Sequence, residues 1–321
     1  MLVVEAGSMA LFIAADGVGR LMLARAVQGV ATSAATGAVT AGLVDFQAGR
    51  NPRLAATVNG VSTTLGLAVG ALGSGLLVQY APMPTTLVHA LLIAVFLITT
   101  SGVALMPETV ARRPGAWRSH RPRVAVPGRI RPHFLLSTPS LVALWALGGF
   151  HLSLGPALTA TVLHAQNVLV AGVVVGILTA SGALGSFTLR RREPRGVLVI
   201  GSVALAAGMV VTLVGVAAGV PAAYLVGTAV AGYGCGAFFL GAFGALAPLA
   251  APEERASLFS TVYVVSYLAF GIPAIAAGVA STAFGLRATA VGHAAALIVL
   301  AGSVLVGLAV RGRGGETGRE A

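Results

Sequence analysis

The sequence contains a single cysteine, Cys235, and has few charged or aromatic residues. One cysteine excludes a disulfide framework and a metal cluster of the Cys/His kind. Charged residues amount to 9% of the chain, whereas soluble domains carry about 25%, so a water-soluble domain is excluded. The chain is instead 57% hydrophobic and contains 43 glycines. This composition favours helices that pack closely within a lipid bilayer.

Lysine is absent, and all 20 basic residues are arginines in a chain with a formal net charge of +11. In a soluble protein this charge would suggest a nucleic-acid partner. Here the arginines lie in short connections between apolar stretches, without interleaved aromatic residues or a recognisable nucleic-acid module. The sequence therefore predicts no nucleic-acid partner, and it predicts a lipid bilayer as the surroundings.

Apolar stretches long enough to cross a bilayer, about 20 residues each, recur along the whole sequence. Nine of them are complete, and a tenth at the start is shorter. The ten stretches are 1–15, 20–44, 54–79, 85–106, 139–163, 167–189, 197–218, 222–250, 257–283 and 287–310. The predicted fold is an all-α membrane protein with ten transmembrane helices.

The arginines indicate how these stretches are oriented, because Lys and Arg are retained on the cytoplasmic side of a membrane. With Met1 placed inside, seventeen arginines fall in inner connections, two in outer connections and one within a span. Both termini are therefore predicted to be cytoplasmic, in a multi-pass protein of the cell membrane.

Residues 107–138 differ from the other connections because they are polar, rich in arginine and interrupted by five prolines. No continuous helix is expected there. A solvated cytoplasmic linker is favoured over a segment whose arginines rest on anionic lipid headgroups. The linker separates a four-helix bundle, 1–106, from a six-helix bundle, 139–310, and the chain ends in a cytoplasmic tail, 311–321.

Three motifs resemble those of the major facilitator superfamily of transporters, whose members have two six-helix bundles joined by a long cytoplasmic loop. Arg25, Gln28 and Gly29 match the R-x-x-Q-G motif of the family's fourth helix. Residues 66–75 are similar to a glycine motif in the fifth helix of proton-coupled exporters. Residues 185–192 look like the basic loop between the family's helices eight and nine.

The resemblance implies that the ten spans are family helices three to twelve, and that the first two helices are lacking. It implies a secondary active transporter that exports small organic or amphipathic molecules by alternating access, in exchange for protons. The expected partners are this cargo, protons and lipid. No cofactor or metal is expected, and the chain is expected to be a monomer.

Two other interpretations were weighed against a transporter. One is a polypeptide that does not transport, produced by truncation or by a start codon assigned too late. The other is a membrane enzyme, which the sequence does not predict because it contains no Ser/His/Asp set, no metal-spaced cluster and no nucleotide fingerprint.

Arg25 is the most informative single residue, since a guanidinium in hydrocarbon usually faces a cavity or a partner. Gln28, Thr32 and Thr36 follow it at helical spacing and form one polar face. This face is interpreted as a wall of the substrate cavity, where the resemblance implies that Arg25 couples proton movement or meets an anionic group. The alternative is an arginine that snorkels to the membrane interface.

Further residues are predicted to pack helices closely or to bend them during gating. Glycines allow close approach and prolines bend helices. These residues are Gly29, Gly66, Gly70, Gly73, Gly75, Pro156 and Pro273.

In the second half of the chain, the resemblance implies that the cavity is lined by His151 and Thr159, on family helix seven, and by Tyr233 and Phe238, on family helix ten. His151 could titrate during transport, and a buried histidine with a satisfied partner is an equal alternative. Acids within the spans are nearly absent, so the carboxyl group for proton coupling is expected on the missing helices, with Glu5 as the alternative.

Overall fold

The computed structural model describes residues 1–46, 66, 69–106, 125–165 and 167–317, and every regular element in these ranges is helical. The chain divides into two compact units, Met1–Ala116 and Trp117–Ala321. In the first unit the helices are α1 (Leu2–Ile13), α2 (Val18–Phe46), α3 (Val69–Tyr80) and α4 (Pro84–Ala104). In the second they are α5 (Arg131–Ser153), α6 (Gly155–Leu163), α7 (Val168–Leu189), α8 (Pro194–Ala218), α9 (Pro221–Leu246), α10 (Pro252–Phe284) and α11 (Leu286–Thr317).

Seven helices in the described ranges are long and apolar enough to cross a membrane, namely α4, α5 and α7 to α11. Helices α1 and α3 are apolar but shorter. Helix α2 is 29 residues long and does not belong to the seven. The chain is thus a multi-pass membrane protein with an all-helical fold, and the number of ten spans stays a prediction.

The first unit is organised around the short helix α1, which packs against both α2 and α4. Glu5, Ala6, Ser8 and Met9 are the buried residues of α1. Helix α2 contributes Ala24, which is also fully buried. Small side chains at these contacts let the helix backbones approach closely.

In the second unit, α9 is the central helix and packs against α8, α7 and α5. Its glycines make this possible, because a Cβ on Gly234 would overlap the backbone of Leu205, and one on Gly236 would overlap the carbonyl of Gly182. The glycine-rich stretch 232–236 therefore serves to pack α9 against α8 and α7. The largest core cluster of the unit includes Phe238, which has no exposed surface.

Two arginines join α8 and α11, which run in opposite directions. Arg195, in the first turn of α8, donates a hydrogen bond to the carbonyl of Leu308, at 3.1 Å. Arg287, in the first turn of α11, donates to the carbonyl of Ala217 in the last turn of α8. The helix pair is therefore held near both of its ends.

The predicted span 139–163 is divided in the structure between α5 and α6, which are interrupted at Leu154. Pro156 lies in the first turn of α6, where a residue without an N–H group leaves no hydrogen bond unmade. Helix α5 begins at Arg131, before the predicted end of the linker at 138. Pro132 lies in its first turn, where a residue without an N–H group is tolerated, as Pro156 is in α6. By contrast, α10 continues through Pro273.

Candidate functional site

Glu5 is a carboxylic acid enclosed in the apolar interior of the first unit, with 3% of its surface exposed. The hydroxyl of Thr32, on α2, donates to Oε1 of Glu5 at 2.5 Å. The second carboxyl oxygen, Oε2, is buried and has no hydrogen-bond partner among the described residues. Ser8 donates to the backbone carbonyl of Glu5 at 2.7 Å. One carboxyl oxygen is thus fixed by the neighbouring helix, and the other is left for a further hydrogen bond.

Arg25 lies against an aromatic pair at the far end of α1. Its guanidinium is 5.2 Å from the centroid of the Phe12 ring, within the range of a cation–π interaction. The same ring stacks on His89 of α4, with centroids 5.2 Å apart. Arg25 also donates to Oε1 of Gln28, at 2.9 Å. The structure therefore brings Arg25 and Gln28 together, as their spacing predicts, and adds Phe12 and His89.

The other predicted residues of the first unit lie near its surface, with one exception. Thr36 and Gly29 are exposed, whereas Gly75 is buried. Among the described residues, no atom lies within 4 Å of the position that a Cβ would take on Gly66, Gly70 or Gly73. Their predicted part in gating therefore stays a prediction.

A second group of ionisable side chains lies in the other unit, where His151 of α5 and His293 of α11 flank Phe150. The rings of Phe150 and His293 stack with centroids 4.3 Å apart, and those of Phe150 and His151 meet edge to face at 6.0 Å. Nδ1 of His151 lies 3.1 Å from the carbonyl of Leu147. Because a carbonyl only accepts hydrogen bonds, Nδ1 carries the proton in the neutral ring.

Nε2 of His151 is therefore the nitrogen that carries no proton in the neutral ring. Nε2 of His151 and Nε2 of His293 are both buried, and neither has a hydrogen-bond partner in the part of the chain that the structure describes. Two buried nitrogens without described partners, on different helices, can form hydrogen bonds with a bound molecule.

Thr159 lies on α6, which follows the break after α5. Its hydroxyl and that of Tyr224, on α9, are 3.2 Å apart, and both residues are buried. Tyr224 and Phe150 belong to the same core cluster. The structure thus places His151 and Thr159 in one region around the break between α5 and α6.

Tyr233 and Phe238 lie elsewhere on α9. The hydroxyl of Tyr233 is 2.9 Å from that of Thr188 on α7. Phe238 is fully buried and would contact a Cβ placed on Gly201 of α8. A depression of about 430 Å³ is lined by Arg131 and neighbouring apolar residues at the start of α5, and neither histidine lines it.

No protein-family model and no curated protein matches this chain. A functional assignment therefore depends on the chemistry of Glu5, Arg25 and the histidine pair.

Sequence reasoning did not associate His151 with His293, nor Phe12 with His89. Each pair is formed by residues on different helices, so no spacing along the chain could reveal it. The available signal was the presence of an ionisable side chain within an apolar stretch, which marks a candidate site in a membrane segment.

Proposed function

We propose that this chain is a secondary active transporter of the major-facilitator type, which exports small organic or amphipathic molecules in exchange for protons. The observation that carries the proposal is Glu5, a buried carboxyl group with one oxygen bound by Thr32 and the other without a partner among the described residues. Buried carboxyl groups of this kind form proton relays in pumps and transporters.

The physical reason lies in the different solvation of the two protonation states. A carboxylate without a counter-ion is unfavourable in an apolar interior, whereas the protonated acid is neutral and needs only hydrogen bonds. Loss of the proton therefore favours a rearrangement that brings water or a cationic cargo to Glu5. Thr32 links this event to α2, the helix that carries Arg25.

The distribution of helices supports the same proposal. Six of the seven candidate spans in the described ranges belong to the second unit. Helix α6 is counted together with α5, because the two share the predicted span 139–163. The first unit contributes α1 to α4. Counting α1, α2 and α3 as further spans, the proposal assigns four helices to one bundle and six to the other, with both termini in the cytoplasm of the cell.

Transport in inside-out membrane vesicles with an acidic interior tests the proposal. Uptake is followed for three fluorescent probes, the planar cation ethidium, the anion fluorescein and an uncharged dye. We expect uptake of at least one probe, abolished by a protonophore, and at least tenfold slower in Glu5→Gln. The glutamine keeps the size of the side chain and its hydrogen-bond acceptor but cannot release a proton.

Asp16→Asn is the matched control, because Asp16 is exposed and forms an ion pair with Arg20 at 2.8 Å. We expect this variant to transport at the rate of the unmodified chain. Gradient-driven uptake that is equal in Glu5→Gln would contradict the role of Glu5. Absence of gradient-driven uptake for all three probes would contradict the proposed function itself.

A further inference from the structure

Arg131 is the first residue of α5, which is one of the candidate membrane spans. The sequence predicts this arginine within a solvated linker, whereas the structure makes it part of the helix. An arginine at the end of a spanning helix lies at the level of the lipid headgroups. Leu135 follows four residues later, on the same face of α5 and about 6 Å nearer to the hydrocarbon. The charged group and the apolar side chain thus follow one another as phosphate and acyl chain do in a phospholipid.

Two depressions in the surface of the second unit share Arg131 and Leu135 in their lining. The first, of about 430 Å³, is completed by Ala125, Val126 and Phe134. The second, of about 520 Å³, is completed by Gly128, Pro132, Leu136, Gly307 and Val310. Every lining residue other than Arg131 is apolar, so both depressions combine apolar walls with one positive charge.

Helix α11 forms the other wall of the second depression. Val310 is the last residue of the candidate span in α11, so this end of α11 lies at the same membrane boundary as the start of α5. A Cβ on Gly307 would overlap the side chain of Leu136, and the two helices therefore approach closely here. Leu135 is 68% exposed and Val310 66%, which leaves both side chains accessible to an acyl chain.

The charge of Arg131 is not compensated by an acidic side chain among the described residues. Its Nε donates to the carbonyl of Val126 at 3.3 Å, and its two terminal nitrogens have no described partner. Arg129, two residues earlier, is instead paired with Glu254 of α10. The terminal N–H groups of Arg131 are thus available to an anion, and a guanidinium binds two oxygens of a phosphate through parallel hydrogen bonds.

The lining also distinguishes between classes of phospholipid. A zwitterionic lipid carries an ammonium group, and no acidic residue lines either depression to pair with it. An anionic lipid needs no such partner, and its charge neutralises that of the guanidinium. We propose that the two depressions around Arg131 form a binding site for one anionic phospholipid, with the phosphate on the guanidinium and the acyl chains along Leu135 and Val310. This site is separate from the proposed cargo and proton chemistry.

Native mass spectrometry of the purified full chain, freed of lipid in detergent, measures this binding directly. The chain is titrated with phosphatidylglycerol or with phosphatidylcholine that carries the same acyl chains. We expect the first phosphatidylglycerol to bind about fivefold more tightly than the first phosphatidylcholine, which corresponds to one arginine near the membrane surface. Equal affinity for the two lipids would overturn the proposal.

The role of the charge is tested by Arg131→Gln, which is expected to abolish the preference for phosphatidylglycerol. Arg190→Gln is the matched control, because Arg190 is also exposed, is predicted on the same side of the membrane and lies over the ring of Phe187. It lines neither depression, and its variant is expected to keep the preference. An equal loss in both variants would show that only the net charge matters and would overturn the site.

The role of the apolar walls is tested by Leu135→Asn, which is expected to weaken the binding of phosphatidylglycerol about fivefold. Leu105→Asn is the control, because Leu105 is 87% exposed at the end of α4 in the other unit. Unchanged binding in Leu135→Asn would overturn the placement of the acyl chains. The elution volume and circular dichroism of each variant verify that it is folded.

A competition experiment on the unmodified chain distinguishes a lipid from a free anion. A large excess of inorganic phosphate is expected to leave phosphatidylglycerol bound, because phosphate gains nothing from the apolar walls. Displacement by phosphate would overturn the lipid and identify a site for small anions. None of these measurements needs a cargo or a proton gradient, so equal binding of both lipids leaves the transport proposal intact, and absent uptake in vesicles leaves the lipid site intact.

Discussion

At the scale of single residues, Glu5 and His151 each use one polar atom of the side chain and leave the other without a partner in the described part of the chain. The hydroxyl of Thr32 donates to one carboxyl oxygen of Glu5, and Nδ1 of His151 bonds the carbonyl of Leu147. Such half-satisfied groups are unfavourable for stability, and within an apolar segment they mark candidate functional sites.

The pair formed by Tyr224 and Thr159 is expected to be structural, since both hydroxyls are satisfied by each other. Tyr224→Phe removes one hydroxyl and leaves the buried hydroxyl of Thr159 without this partner. We expect a loss of about 1 kcal/mol in the free energy of unfolding, measured by denaturation in detergent micelles. Tyr263→Phe is the control, because Tyr263 is 46% exposed. A loss of equal size in both variants would show that the pair contributes nothing specific.

At the level of residues, spacing along the sequence predicts which side chains share one face of a single helix. Arg25 and Gln28 are three residues apart and are hydrogen-bonded, whereas their part in a substrate cavity stays a prediction. His293, which stacks on the same Phe150 ring that His151 meets, comes from α11, and the side-chain partner of Glu5 comes from α2. These contacts depend on how helices are arranged, which hydropathy and spacing do not encode.

At the scale of helices, the glycines divide into two classes that are indistinguishable in the sequence. Gly236 of α9 faces the backbone of α7 and has no room for a side chain. Around Gly176 of α7, no described atom lies within 4 Å of an added Cβ. The contrast shows which glycines bring helices together and which do not.

This contrast predicts opposite outcomes for the same substitution. Gly236→Ala forces α9 away from the carbonyl of Gly182 and is expected to destabilise the chain by about 1 to 3 kcal/mol. Gly176→Ala meets open space and is expected to be neutral or stabilising by up to about 1 kcal/mol, because alanine has the higher helix propensity. The unfolding midpoints of both variants in detergent measure the difference. A destabilised Gly176→Ala or an unaffected Gly236→Ala would contradict it.

The helical fold could be predicted because backbone groups in lipid must be satisfied within the segment, so long apolar stretches become helices. The residues at which each helix begins and ends could not be predicted in this way. The segment from Arg131 to Thr138 begins with the arginine and proline typical of the linker, yet it forms the start of α5. Helix α2 is not counted among the candidate spans, although the sequence predicts a span over 20–44.

At the scale of the whole molecule, the distribution of arginines predicts the topology. In a Cys235→Ser background, Ser119→Cys and Arg191→Cys are each expected to react with a membrane-impermeant maleimide from the cytoplasmic face. Both positions belong to connections predicted to be inside. Val220→Cys, in the connection between α8 and α9, is expected to react only from the opposite face.

Labelling of Ser119→Cys and Arg191→Cys from opposite faces would be incompatible with the predicted number of spans. Reaction of Val220→Cys from the same face as the other two would contradict the orientation of α8. Intact cells and inside-out vesicles, labelled in parallel, distinguish these outcomes.

The two arginine bonds between α8 and α11 limit which motions the second unit can undergo. Sliding one helix along the other by a turn would displace each carbonyl by about 5.4 Å and would break both bonds at once. A one-turn shift between these helices is therefore unfavourable, and the two are expected to move together as one rigid body. Bending of the second unit is then expected at interrupted segments, of which Leu154, between α5 and α6, is the clearest example.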